Sequence, residues 1–387
     1  MSGHIRRNGA KSWELKFDVG TDPLTGKRKI RYVSFKGTKR EASAELARLI
    51  TQHVAGQSVD PSKATVAEFL ARWVEDWAGA HLSAKTLERH RTAIRWHITP
   101  HIGGLAIQKL RPVHLVELYR KLQKSGAKDG RPLAARSVSY VHRVLHRALG
   151  HAVVWGVVAQ NAAAVVSPPP APDTEMTILT ADQIGVVLRH LNGRALRPIV
   201  SFLLGTGARR GEVLALRWQD LDLDKGVVRI ERAVEQTKAG LRIKAPKTKA
   251  GKRSVTISPW LVAELRAHQA RQQERRLKLG MGRAPKDSLV FARWDGGLRA
   301  PHWLSQKFAQ AMSALAIDCK LHGLRHTHVS QLIAAGLDVL TISRRIGHAS
   351  AAITLTVYGH LFANTDAGAA EIMEAAFKAQ DGEIEAG

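Results

Sequence analysis

A single cysteine, Cys319, among 387 residues rules out an intramolecular disulfide and any multi-cysteine zinc site. Acidic residues are also scarce: 33 Asp and Glu stand against 59 Lys and Arg, for a formal net charge of +26 and a pI near 10.7. Such an excess attracts polyanions and repels cationic partners, which makes nucleic acid the leading partner. Aromatic residues reach only 5%, and of four tyrosines Tyr358 alone lies beyond Tyr140. If the C-terminal half uses a phenol as a nucleophile, there is one candidate. No apolar run approaches the roughly eighteen residues of a membrane-spanning helix, so no membrane partner is expected. The basic start, Met1 to Lys11, has no apolar segment after it and does not read as a secretory signal. A cytoplasmic, DNA-associated protein is the expectation. There is no Walker-type Gly, Lys, Ser or Thr loop and no acidic cluster suited to two magnesium ions, so no cofactor is expected, neither ATP nor metal. What the chain does have is 44% hydrophobic residues, enough to bury real cores, and a length that calls for about two or three domains.

Ser12 to Val19 alternates Trp13, Leu15, Phe17 and Val19 with polar neighbours, and Lys27 to Phe35 reads as the returning strand after a turn at Asp22, Pro23 and Gly26. Thr38 and Glu41 form a capping box for a helix running toward His53. The first forty residues carry eleven Lys and Arg against three Asp and Glu; the sheet is expected to face phosphates, although a merely solvated basic face has the same composition. A second unit opens with Thr65 and Glu68, followed by Phe69, Leu70, Trp73, Val74 and Trp77 at helical spacing. Ala84 to His97 is a further basic helix that Pro100 is expected to stop. Pro112 starts another, and a long one covers about Ala134 to Val154. Four helices with basic flanks make a compact module expected to grip a duplex, and nothing in them identifies a base sequence. The run Pro168, Pro169, Pro170, Ala171, Pro172 is a linker, because prolines cannot continue a helix. Thr180 and Gln183 cap the first helix beyond it.

Everything past that linker converges on a short polar series. Thr206 to Glu212 includes Arg209 and Arg210. A basic hairpin tip, Pro246 to Lys252, lies between strands at Val227 to Ile230 and Val255 to Ile257. Leu321 to His328 holds His322, Arg325 and His326, and Gly347, His348 and Tyr358 follow. Taken singly these are weak signals, since paired arginines are common on salt-bridged helices, tip lysines are usually solvated and a lone tyrosine is usually core. His322 and His326, four apart, also have a metal-ligand spacing, but no Glu stands between them in the zincin arrangement and no third ligand is evident. Together, two arginines, a lysine and two histidines make a cationic pocket for one phosphodiester, with a tyrosine to attack it.

The order and spacing of these blocks resemble the tyrosine recombinase family, specifically phage-type integrases, over nearly the whole chain. The block Gly207 to Glu212, then Pro246, Lys247 and Thr248, His322 to Arg325, Gly347 with His348, and Tyr358 all stand in family order; Ile346 occupies a place where Leu is more common. The resemblance implies an α+β, mainly α fold. Residues 1–57 would be an arm-type DNA-binding domain, a small three-stranded sheet plus helix; 62–167 a helical core-binding bundle; 168–176 the linker; and 177–387 a mixed α/β-hairpin catalytic domain with a C-terminal tail. It further implies that Tyr358 attacks phosphorus to leave a 3′-phosphotyrosyl link and a free 5′ hydroxyl. Arg209 and Arg325 would hold the non-bridging oxygens, Lys247 would protonate the leaving 5′ oxygen, His322 would exchange a proton with the tyrosine and His348 would donate to a phosphoryl oxygen. Lys249 competes with Lys247; the distance to Arg253 and Val255 favours Lys247. Candidate DNA contacts are Arg6, Arg7, Lys27, Lys29, Lys85, Arg89, Arg143 and Lys249.

The implied activity is integration and excision of a mobile element or prophage at double-stranded DNA attachment sites, through a Holliday junction, by a homotetramer. An excisionase and a DNA-bending protein would set direction. The acidic tail after Phe362, with Asp366, Glu371, Glu374, Asp381, Glu383 and Glu385 against Lys378, would dock on a neighbouring protomer; a helix packed on its own domain is the plainer reading. A type IB topoisomerase would use a similar pocket to relax any supercoiled DNA, and a DNA-binding regulator would hold phosphate without cutting it.

Overall fold

The structure, a computed structural model, describes residues 3–21, 25–54, 59, 61–127, 129–172, 176–246, 249–362, 370–371, 373–375 and 377. The chain divides into two compact units, Met1–Asp173 and Thr174–Gly387.

In the first unit, strands β1 (Gly3–Gly9), β2 (Ser12–Thr21) and β3 (Arg28–Lys36) form an antiparallel sheet in the order β1-β2-β3. Alternation along β2 sends Leu15 and Phe17 to one face, where Ala42 and Leu46 of α1 (Lys39–Val54) bury them. The Thr38 capping box closes from both sides, so the chain turns into the helix where its sequence signal stands. Directly paired residues share a face. The pairs His4 with Lys16 and Arg6 with Glu14 put Arg6 on the face away from α1, where Lys16 lies over the exposed ring of Tyr32.

The bundle that follows begins with α2 (Val66–Trp73), opened by the Thr65–Glu68 capping box, which widens into a π turn at Val74–Ala78 and ends in α3 (Gly79–His81). The basic helix α4 (Ala84–Ala93) behaves likewise. It passes through a π turn at Ile94–Ile98 into α5 (Thr99–Ile102). Pro100 therefore does not stop this helix. The Thr99 amide reaches back five residues to the Ile94 carbonyl, and this shift of register puts the proline, which has no N–H to give, at the start of a fresh turn where none is needed. Helices α6 (Pro112–Ser125) and α7 (Ala135–Val154) complete the bundle, and Leu115, Leu118 and Leu122 meet Val138, Val141, Leu145 and Leu149 in its core. Burying each such side chain contributes about 1.5–3 kcal/mol.

The second unit starts with α8 (Ala181–His190), α9 (Arg197–Thr206) and the short α10 (Arg210–Leu214). Strands β4 (Leu221–Asp222), β5 (Val227–Ile230) and β8 (Arg253–Thr256) pair in the order β4-β5-β8, and β6 (Ala233–Thr237) with β7 (Gly240–Lys244) forms a separate hairpin. The Pro246 to Lys252 stretch is therefore not a hairpin tip: the tip lies at Thr237 to Gly240, and the basic stretch connects β7 to β8. Alternation marks strands but does not say which of them turn directly into one another. Helices α11 (Pro259–Lys278), α12 (Pro301–Ala314), α13 (Gly323–Ala334), α14 (Val339–Ile346) and α15 (Ala351–Tyr358) follow. Leu203, Val213, Val228, Val255, Leu261, Phe308 and Leu324 share one core, while Val329, Ile333, Ile342, Ile346 and Tyr358 form a smaller one.

Candidate active site

Three chain reversals bring the polar series together. The first is Gly207, which ends α9 with φ +62°. A Cβ there would come within 2.7 Å of the His328 ring and 3.2 Å of Ile346, so only glycine fits both the dihedral and the space. The next residues turn Arg209 into the N-cap of α10. Glu212 reaches back to accept from the Arg209 amide at 2.8 Å and from its guanidinium at 2.8 Å. The same carboxylate accepts from Arg253 on β8 at 2.8 Å. Burial works against the charge of Glu212, but the hydrogen bonds and charges of Arg253 and Arg209 outweigh it and hold its pKa below the ordinary value.

The second reversal is Gly347, at φ +68°, ending α14. Its carbonyl accepts from Arg209 Nη2 at 2.9 Å. A Cβ there would lie 2.9 Å from the carbonyl oxygen of Ala250 and from Arg253 Nη1, so the β7–β8 connection returns beside His348. Lys247 itself, with Thr248 and the side chain of Lys249, lies outside the described residues.

The third is the entry to α13, with His322 as N-cap and Arg325 in the first turn. Arg325 is 3% exposed and spends its fork on two carbonyls, Gly207 at 2.6 Å and Ile346 at 2.8 Å. Burial, with Arg209 adding to it, brings its pKa down to about 10, so it remains a cation at neutral pH. Arg325 is thus aimed by carbonyls at the ends of two other helices, and Arg209 by one such carbonyl together with the Glu212 carboxylate. Arg209, Arg210, Ser305, His322 and Arg325 line one cleft of about 890 Å³.

Loss of solvent around the ring is the first cause, and the nearby arginines a further one, of the fall of half-buried His348 to about 4 and of His322, one side of which opens on the cleft, to about 4. Both imidazoles are therefore neutral at pH 7 and each offers one N–H. His348 places Nδ1 2.9 Å from the Thr354 hydroxyl, which orients the ring.

Tyr358 ends α15 and is 1% exposed. Burial raises its pKa, with Arg325 pulling the other way. Its hydroxyl lies 2.7 Å from Nδ1 of His326. The phenol thus meets His326, not His322 as the family resemblance implies. The ring of His326 also stands edge-on to His322, centroids 4.8 Å apart. The i, i+4 spacing, which would also suit a metal pair, brings two imidazoles together beside a phenol. Among the described residues no group of three or more His, Cys, Asp or Glu is placed to hold a metal ion.

The remaining DNA candidates are spread over the first unit. Arg6 is exposed on the open face of the sheet, Lys27 is exposed just before β3, and Lys29 is exposed on β3. Arg7 pairs with Trp13 on the α1 side and donates to the carbonyls of Gly9 and Ala10, so it closes a turn. Lys85 pairs with Glu88 at 3.6 Å, while Arg89 and Arg143 lie over the Tyr140 ring at 4.3 and 5.7 Å from its centre. Glu212, Arg253 and His326 escaped a reading by residue type. The capping spacing of Arg209 to Glu212 was the available signal for the first, whereas Arg253 and His326 need the fold.

Residues 177–365 match the Phage integrase family, and residues 65–123 match the Phage integrase, N-terminal SAM-like domain. A "Tyrosine recombinase XerC-like" protein of Caldanaerobacter subterraneus is 25% identical over 390 residues, covering 96% of this chain and 98% of that protein. An integrase of Streptomyces ambofaciens is 28% identical over 95% of this chain and 94% of its own length, and the ICEBs1 integrase of Bacillus subtilis 26% identical over 94% and 96%. In fold, the chain is similar to the Tn1549 transposon integrase in complex with a circular intermediate DNA, with TM-score 0.68, 18% identity and coverage of 81% of this chain and 99% of that one. It is also similar to a lambda integrase tetramer bound to a Holliday junction, with TM-score 0.54, 17% identity and coverage of 90% and 95%. No helix among the described residues is long and apolar enough to cross a membrane.

Proposed function

Because the chain belongs to the phage integrase family of tyrosine recombinases, we propose that Tyr358 is its nucleophile and that Arg209, Lys247, His322, Arg325 and His348 surround the scissile phosphate. The protein is a DNA strand transferase, a site-specific recombinase that integrates and excises a mobile element. One observation carries the assignment of residues: Arg209 and Arg325, aimed by the carbonyls of Gly207, Ile346 and Gly347, line a single cleft with His322, and the only phenol of this unit stands one imidazole away.

The phenol oxygen attacks phosphorus, the bond to the 5′ oxygen breaks, and a 3′-phosphotyrosyl ester forms. The two guanidinium groups stabilise the charge that gathers on the non-bridging oxygens; being held before substrate arrives, they need no reorganisation. His322 and His348, neutral, each donate one N–H to phosphoryl oxygens. Lys247 gives its proton to the departing 5′ oxygen. The new ester keeps the energy of the old one, so a different 5′ hydroxyl can reverse the step without ATP.

The same reading assigns residues 1–57 to arm-site DNA, 62–167 to the core site and 177–387 to catalysis, with 168–176 as linker. A tetramer on two double-stranded attachment sites, passing through a Holliday junction, completes the reaction. An excisionase and a DNA-bending protein set its direction, and the acidic tail, mostly outside the described residues, docks on a neighbouring protomer. The test is a nicked suicide duplex carrying the core site, incubated with EDTA and no ATP. Wild type gives a covalent protein–DNA band on a denaturing gel and Tyr358→Phe gives none while binding the duplex normally; an equal band from Tyr358→Phe would refute the nucleophile.

A further inference from the structure

We propose that His326 is the catalytic residue that accepts the proton of the Tyr358 hydroxyl during strand cleavage and returns it during rejoining; this rests on Tyr358 being the nucleophile.

The geometry comes first. Nδ1 of His326 lies 2.7 Å from the hydroxyl, within the distance a proton crosses in general base catalysis, and the two ring centres are 5.5 Å apart. The contact joins two elements, α13 and α15, that also carry Arg325 and the nucleophile. Its α13 side is anchored by the two residues that follow His326. Leu179 N donates to the hydroxyl of Thr327, the next residue along α13, at 2.9 Å, and His328 Nδ1 lies 2.7 Å from the Leu204 carbonyl oxygen. The imidazole is thus fixed by its helix. On its far side stands the ring of His322, which lines the open cleft, so His326 separates the nucleophile from the histidine that faces substrate.

Charge agrees with this assignment. Burial, assisted by the cation of Arg325, lowers the pKa of His326, which leaves the ring neutral and its lone pair available at pH 7. A buried phenol, whose pKa burial raises, cannot shed its proton unaided near neutrality. Making an imidazolium beside Arg325 is costly in the free chain. When the phosphodiester arrives it brings negative charge to Arg325, and that cost falls as the attack begins. The proton inventory closes: Tyr358 loses one to Nδ1 as its oxygen bonds phosphorus, the leaving 5′ oxygen gains one from Lys247, and rejoining reverses both transfers.

Single-turnover cleavage of the nicked duplex tests this with wild type, His326→Asn, His326→Ala and Tyr358→Phe side by side, each also measured for duplex affinity and thermal midpoint. Asn keeps a hydrogen-bonding atom near the place of Nδ1 but cannot take a proton at neutral pH. Both His326 variants should cleave about 100-fold or more slowly while their affinity stays within about threefold of wild type. If His326→Ala fails to fold, the near-isosteric Asn variant decides alone. A His326→Asn rate within about threefold of wild type would overturn the proposal, reducing His326 to a group that merely holds the ring. An adduct from Tyr358→Phe would instead sink the nucleophile itself. Loss of adduct in Tyr358→Phe together with full rates in both His326 variants would sink only this inference.

Discussion

In the helical bundle, exposed arginines lie over aromatic rings: Arg89 over Tyr140, Arg147 over Trp77 and Arg95 over Trp96, at 4.3, 4.6 and 5.2 Å. In the catalytic unit, Arg209, Arg253, Arg325 and Arg345 donate instead to the Glu212 carboxylate or to backbone carbonyls. A ring face fixes where a guanidinium sits but leaves its N–H groups to water or phosphate. Oxygen acceptors at the ends of other helices fix direction as well. Gripping a duplex requires positive charge within reach of many phosphates, whereas stabilising one transition state requires donors that point at one atom. The same residue type serves both needs because its neighbours differ.

The comparison breaks most sharply at Arg325. Arg325→Lys keeps the charge but cannot satisfy the Gly207 and Ile346 carbonyls as a fork, so single-turnover cleavage should fall about 100- to 1,000-fold with little change in duplex affinity; an equal fall in affinity would make it a gripping residue. Glu212→Gln comes next. It leaves Arg253, buried with it, without its counter-charge and should cost about 3 kcal/mol in urea unfolding, and a variant as stable as wild type would show that the carboxylate is not the pivot of the pocket. In the bundle the expectation reverses: Arg147→Ala should lower duplex affinity modestly and reduce the salt slope by about 0.9, leaving cleavage at saturating DNA unchanged. A separate effect concerns pH. His322, His328 and His348 each fall to about 4, burial first among the causes. Unfolded histidines take protons near pH 6.5 and these folded ones resist until about 4, so their contribution to stability is complete above about 6.5 and declines as pH falls toward 4. The thermal midpoint should therefore be lower at pH 5 than at pH 7.5, and a flat profile would contradict the lowered pKa of His328, the buried one of the three.

Much of the fold was legible where one local signal decides the outcome. The capping boxes at Thr38, Thr65 and Thr180 open their helices as read, and the alternation of Leu15 and Phe17 puts both in a core. Pro100 misled because a π turn upstream changed which amide needed a partner. The β6–β7 hairpin was missed because strand alternation carries no information on pairing. At the site, the arginines and histidines were legible from their order. Their orientation was not: it depends on glycine turns at Gly207 and Gly347 and on carbonyls from distant helices. His326 had a visible spacing to His322, but its partner lies 32 residues away in sequence and only the packing of α13 against α15 identifies it.

The most direct measurement is peptide mapping by mass spectrometry of the covalent complex trapped on a nicked duplex and digested with nuclease and protease. A nucleotide mass on the tyrosine of the peptide containing Tyr358, attached through a 3′ phosphate, is the expected result. A nucleotide on any other residue, or a 5′ linkage, would contradict the assignment of this phenol as the group that cuts and rejoins DNA.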